Sequence, residues 1–142
     1  MMKTKTPKQR TILWADDDPD DRHIICDIVA AHYSNYALTC VEDGSEVLRF
    51  LHNIKDTADL PCLVVLDINM PKLTGLETLE RIKGDERYKD LKVAVFTTSS
   101  SKQDRQVCER HGVPMATKPY SYSDFKHAVA EMLQLCHVSN TI

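Results

Sequence analysis

The 142 residues carry 18 lysines and arginines against 21 acids, a net charge of −3, with 42% apolar and 27% charged residues. That length suits one domain with its own core, the composition is that of an ordinary globular chain, and the charge gives no footprint for nucleic acid or an anionic membrane. No apolar stretch approaches the roughly 20 residues of a membrane span, and the N-terminus lacks the apolar core of a secretory signal.

Residues 1–9, with Lys3, Lys5 and Lys8, read as a basic, solvated lead-in. A single domain is expected over 10–137, with 138–142 a short tail. Thr11 to Ala15 predicts a first strand. Pro19 suits a first helical position, and Ile24, Ile25, Ile28 and Val29 continue as a helical stripe. Tyr36 to Val41 predicts a second strand and Ser45 to Leu51 a short helix. The apolar run Leu63 to Leu66, within a strand at 62–67, reads as a strand buried on both faces. Leu76, Leu79 and Ile82 mark a third helix with Thr74 as its N-cap.

Lys92 to Phe96 predicts a fourth strand. Val107, Cys108 and His111 mark the inner face of a fourth helix, and Gly112 is its stop. Val113 to Thr117 predicts a fifth strand. A last helix carries Phe125, Val129, Met132, Leu133 and Cys136, and Ser121-x-x-Asp124 resembles a capping box at its start. Strict alternation of strand and helix over five units predicts an α/β fold, a parallel sheet with helices on both faces. The five cysteines are scattered without a CxxC pair, which predicts reduced core thiols in a cytoplasmic protein and no disulfide frame or zinc site.

Polar residues gather at the C-terminal ends of the strands, the edge where open α/β sheets hold ligands. Asp16, Asp17 and Asp18 end the first strand, Asp67 the third, Thr97 and Thr98 the fourth, and Lys118 the fifth. Converging carboxylates repel one another and resist ionisation. A divalent cation removes that penalty, and hard oxygen ligands suit Mg²⁺. A cation, a carboxylate, a hydroxyl and an ammonium together are what phosphoryl transfer requires. Blander roles compete for several of these residues. Asp18 before Pro19 reads foremost as an N-cap, Asp20 and Asp21 as complements to the helix dipole, and Trp14 as core filling. Asp67 alone could equally cap a loop.

As an ordered set, these residues resemble the receiver domain of two-component response regulators. The matching stretches are Ile12 to Pro19, Val64 to Pro71 with Gly75, Val95 to Ser99, and Thr117 to Pro119. The resemblance implies a flavodoxin-like sheet in the order 2-1-3-4-5. It implies that Asp67 is the phosphoacceptor, charged by a histidine kinase or histidine phosphotransfer protein. Asp16, Asp17 and Asp67, with the backbone carbonyl of Asn69, would then hold Mg²⁺, and Thr97, Thr98 and Lys118 would bind the phosphoryl group. The acidic run and the long segment Asn53 to Pro61 are particularly similar to stand-alone receivers of the phytochrome-associated kind.

Three departures stand out. The spacing from Asp17 to Asp67, 50 positions, is longer than in compact members; the excess fits a longer loop around Asp56 to Asp59 and leaves the site intact. Thr74 replaces the acid the family often has before its glycine, a neutral exchange of caps. Met115 stands at the switch-relay position, where many members carry an aromatic residue. It can fill the same space but has no ring.

No DNA-binding or catalytic output region follows Lys118 in this sequence. Output is therefore expected by binding a downstream protein, by dimerising through the fourth-helix, fifth-strand, fifth-helix face, or by passing the phosphoryl group on. The expected role is signalling rather than enzymatic turnover. A receiver-like adaptor that works without phosphorylation is the alternative, and the intact acidic pair, Asp67 and Lys118 argue against it. An aspartyl phosphohydrolase would need a second acid two residues after its nucleophile, and Asn69 stands there.

Overall fold

The computed structural model describes residues 10–137. The basic lead-in at 1–9 and the tail at 138–142 lie outside the described residues. Five strands form one parallel sheet in the order β2-β1-β3-β4-β5, as the resemblance implied. They are β1 (Arg10–Ala15), β2 (Tyr36–Val41), β3 (Leu63–Leu66), β4 (Val93–Thr97) and β5 (Met115–Thr117). Between and after them run α1 (Pro19–His32), α2 (Gly44–His52), α3 (Gly75–Lys83), α4 (Lys102–Arg110) and α5 (Tyr122–Gln134).

The alternation of side chains along each strand divides the core in two. Leu13, Ala15, Val64, Leu66, Val93 and Val95 join residues of α2 and α3 in one cluster. Ile12, Trp14, Leu63, Val65, Ala94 and Phe96 join α1 and α5 in the other. Both faces of β1, β3 and β4 are thus covered, which is why their sequences are apolar runs without alternation. Trp14 is fully buried and meets Phe96 edge to face, with centroids 5.9 Å apart, so its role is the packing one.

Several helix ends follow the sequence signals. Asp18 caps α1 by accepting from the Asp20 and Asp21 N–H groups. Thr74 and Glu77 form a reciprocal capping box on α3, and Ser121 caps α5 by accepting from Asp124 N–H.

The fifth strand is shorter than expected. Gly112, at φ 66, lets Gly112 N–H bond to Glu109 and Val113 N–H to Cys108. These two bonds are a Schellman closure of α4. Val113 therefore belongs to the helix stop and not to the strand.

The expectation that every thiol is reduced is overturned. Cys62, just before β3, and Cys136, just beyond α5, form a disulfide with a Cα–Cα distance of 5.1 Å. They are 74 positions apart, so local spacing carries no sign of the pairing; the fold creates it. Nearby, the Arg10 guanidinium donates to Cys136 O at 2.7 Å and Lys92 Nζ to Leu135 O at 3.0 Å. Tyr36 OH also bonds to His137 Nε2. The turn after α5 is thus tied to the end of the sheet where its strands begin. No helix among the described residues is long and apolar enough to cross a membrane.

Candidate functional site

β1 is the strand from which the sheet grows both ways, with β2 on one side and β3 on the other. The connections leaving β1 and β3 therefore part company at their C-terminal ends, opening a crevice. Asp16 is the first residue past β1 and Asp67 the first past β3. Backbone bonds still hold both in strand-like register, Asp16 N–H to Val41 O and Asp67 N–H to Ala15 O, each 3.0 Å.

Lys118, immediately after β5, reaches across this crevice. Its Nζ lies 2.6 Å from Asp16 Oδ2, 2.8 Å from Asp21 Oδ2 and 3.0 Å from Asp67 Oδ2. It donates hydrogen bonds to Asp21 and Asp67. Its approach to Asp16 is an ion pair without hydrogen-bond alignment, and Asp16 Oδ2 is left as a buried oxygen with no hydrogen bond. The other oxygen, Oδ1, accepts from Asp18 N–H at 2.9 Å. Asp67 Oδ1 accepts from Ile68 N–H at 2.7 Å.

Burial governs the titration here. Asp16 is fully enclosed, and burial pushes its carboxyl from 3.8 up to about 6, with the neighbouring Asp67 charge adding to the rise. The close ammonium of Lys118 and the hydrogen bond from Asp18 N–H pull it back in part. Burial also works against a charged Lys118. The close contact with Asp16, the hydrogen bond to Asp21 and the charges of Asp67 and Asp16 outweigh that penalty and hold the ammonium above its ordinary range.

Asp16, Asp17 and Asp67 each offer a carboxylate oxygen, all within 4.8 Å of one another. Asp17 is exposed, so this trio has one open side. Three hard carboxylate oxygen donors fit a divalent cation.

The other expected residues surround this centre at different depths. Thr97 is fully buried at the end of β4, and its carbonyl accepts from Lys118 N–H at 2.8 Å. Its hydroxyl oxygen accepts from Ser99 N–H at 3.3 Å, which leaves the hydroxyl proton to be donated elsewhere. Thr98 is exposed and lines a groove of about 360 Å³ with Asp21, Lys118, Tyr120 and Tyr122. Asn69 is exposed in the turn beyond Asp67, and Met115 is half-buried on β5 opposite Val95.

Asp21 is the residue that sequence reasoning passed over. The sequence presents it as a dipole complement, yet its carboxylate is the second hydrogen-bond partner of Lys118, 97 positions away. The one hint was an acidic run longer than a helix start needs.

Comparison with known proteins agrees with this geometry. The family model described as the response regulator receiver domain matches residues 12–130. The probable methanogenesis regulatory protein FilR2 of Methanothrix harundinacea is 36% identical over 94 residues, which cover 65% of this chain and 61% of FilR2. The chain thus spans about three-fifths of that relative.

Among solved structures, the phosphorylated cyanobacterial phytochrome response regulator RcpA superposes with a TM-score of 0.81. It is 26% identical, over 94% of this chain and 97% of that one. The Mn²⁺-bound response regulator Rcp1 gives a TM-score of 0.78 at 26% identity, over 88% and 92%. A family match across most of the chain, the 2-1-3-4-5 sheet and the acidic crevice with its lysine agree, and the chain belongs to the response regulator receiver domain family.

Proposed function

We propose that this chain is a phosphoacceptor that signals by phosphorylation of Asp67, supplied by a histidine kinase or histidine phosphotransfer protein. The observation that carries the reading is the Lys118 ammonium, buried among Asp16, Asp21 and Asp67. A cation so placed stabilises a carboxylate without metal and a dianionic phosphoryl group once one is attached.

In the transfer step an Asp67 carboxylate oxygen attacks phosphorus. The bond from phosphorus to the donor nitrogen or oxygen breaks, and the leaving group takes the electron pair. Asp16, Asp17 and Asp67, with the Asn69 carbonyl, would hold Mg²⁺, which neutralises phosphoryl oxygens when bound. Lys118 orients a second phosphoryl oxygen, and the Thr97 hydroxyl, still holding its proton, donates to a third. Thr98, exposed in the same groove as Lys118, adds a further phosphoryl contact.

Each new contact draws on atoms already engaged: Lys118 gives up carboxylates, and Thr97 turns away from Ser99. The resulting shift biases β4, β5 and α4 between two arrangements. Met115 lies in that path and would relay the shift by repacking against Val95. Output through the α4–β5–α5 face, to a downstream protein or a second copy of the chain, is the simplest consequence.

The test is incubation with Mg²⁺ and acetyl phosphate followed by intact mass measurement. One phosphoryl mass is expected on the wild-type chain and none on Asp67→Asn. Continued labelling of that variant would move the acceptor elsewhere, and an unlabelled wild-type chain would favour the phosphorylation-independent adaptor.

A further inference from the structure

Away from the acidic crevice, two thiols face each other across the edge of the sheet. Cys26 is exposed on α1, Cys40 is half-buried on the edge strand β2, and their sulfurs are 3.4 Å apart. Cys40 stands in register with Trp14 on β1. Cys26 lies one helical turn beyond Arg22, whose guanidinium donates to Asp16 O at 2.8 Å.

Packing accounts for Cys40, which lies against the core, but not for Cys26. A free cysteine that merely fills space is among the most buried of residues, as Cys108 is here, at 1% exposed. Cys26 is in solvent. The sulfurs need close by only about 1.3 Å to reach bonding distance, a movement that side-chain rotation supplies.

We infer that Cys26 and Cys40 are a redox-active dithiol, a modification site that a small-molecule disulfide of the glutathione class oxidises to an intramolecular bond. In the first step the exposed Cys26 thiolate attacks one sulfur of the small disulfide. A mixed disulfide forms, and one small thiolate leaves and takes up a proton. In the second step Cys40 loses its proton and attacks the Cys26 sulfur, expelling the second small thiolate. Two electrons pass from the protein thiols to the small disulfide, which ends as two thiols.

Accessibility assigns Cys26 the entering role, and Cys40 resolves. Burial, and then the bond with Cys26, pushes the Cys40 thiol up to about 12, with the Arg22 charge opposing in part. Burial alone disfavours the Cys40 thiolate that closes the ring, so closure accelerates as pH rises. The closed bond ties α1 to β2 across a separation of 14 positions.

The experiment equilibrates the full chain with graded mixtures of reduced and oxidised glutathione. Free thiols are then alkylated and the digest is mapped by mass. A linked pair of peptides carrying Cys26 and Cys40 is expected, reversible by dithiothreitol and absent from Cys26→Ser. It is read separately from the Cys62–Cys136 peptides. The closed form should melt roughly 5 °C higher than the open one. The inference is overturned if Cys26 stops at a glutathione adduct while Cys40 stays alkylatable, or if both thiols remain alkylatable at every ratio.

Discussion

Asp16 is the residue in which the electrostatic tension of the crevice is stored. Its ordinary pKa is 3.8 and burial lifts it to about 6, so between those values the folded chain holds a proton that the unfolded chain has released. Raising pH through that window therefore favours unfolding, and this contribution to stability falls between about pH 4 and 6 and is flat above. Lys118 has the same sign in a far more alkaline window. Its folded value is raised, so its contribution is complete below its ordinary 10.5 and is lost only as pH climbs beyond that. Between pH 4 and 7 Asp16 is thus the group to watch. With divalent cations chelated, urea midpoints of the wild-type chain should lose ground to Asp16→Asn as pH rises from 4 to 6. The lost margin is on the order of 2 kcal/mol. A margin that stays constant over that range would show that Asp16 is not the residue holding the proton.

The turn that joins β3 to α3 decides where Asp67 points, and it is tightly built. Lys72 sits at φ 66, an uncommon region for a residue with a Cβ, and Leu73 N–H closes onto Pro71 O at 2.7 Å. Gly75 then passes so close to β3 that an added Cβ would lie 1.9 Å from Asp67 O and 2.9 Å from Ile68 Cα. Both of those atoms are backbone, so no side chain can swing aside. Gly75→Ala should destabilise by about 1–3 kcal/mol or more and, by displacing the Asp67 peptide, slow phosphoryl incorporation. Thr74→Ala should cost about 1 kcal/mol through its lost cap and leave incorporation unchanged. Denaturant melts and acetyl phosphate labelling of the two variants check both, and equal labelling of the two would remove Gly75 from any role in placing Asp67. At this scale much was legible in advance. Apolar runs marked β3 and β4, Thr74 and Asp18 announced their caps, and Asp16, Asp67 and Lys118 stood at strand ends where a parallel sheet gathers them. What was not legible depended on tertiary distance. Asp21 meets Lys118 only after α1 and β5 are packed, and Val113 left its strand because Gly112 turned the backbone into a helix stop.

Across the whole molecule the two ends of the sheet carry different burdens. The ends of the strands hold the acidic crevice, and their beginnings hold the staple made by Cys62–Cys136, Arg10, Lys92 and Tyr36. The cysteines misled at first because spacing along the chain says nothing about a pair 74 positions apart. That separation also makes the bond consequential. Closing so long a loop restricts the unfolded chain far more than the folded one, a stabilisation of about 2–4 kcal/mol. Paired replacement of Cys62 and Cys136 by serine should therefore lower Tm by roughly 5–15 °C. The staple lies at the far end of the sheet from Asp67, with the fully buried strands β3 and β4 between them, so phosphoryl incorporation below the melting range should be unaffected. Calorimetry and labelling of the double variant decide the matter together. Unchanged labelling with a lowered Tm fits two mechanically separate ends, whereas impaired labelling at a temperature where the fold is intact would mean that the staple sets the geometry of the crevice.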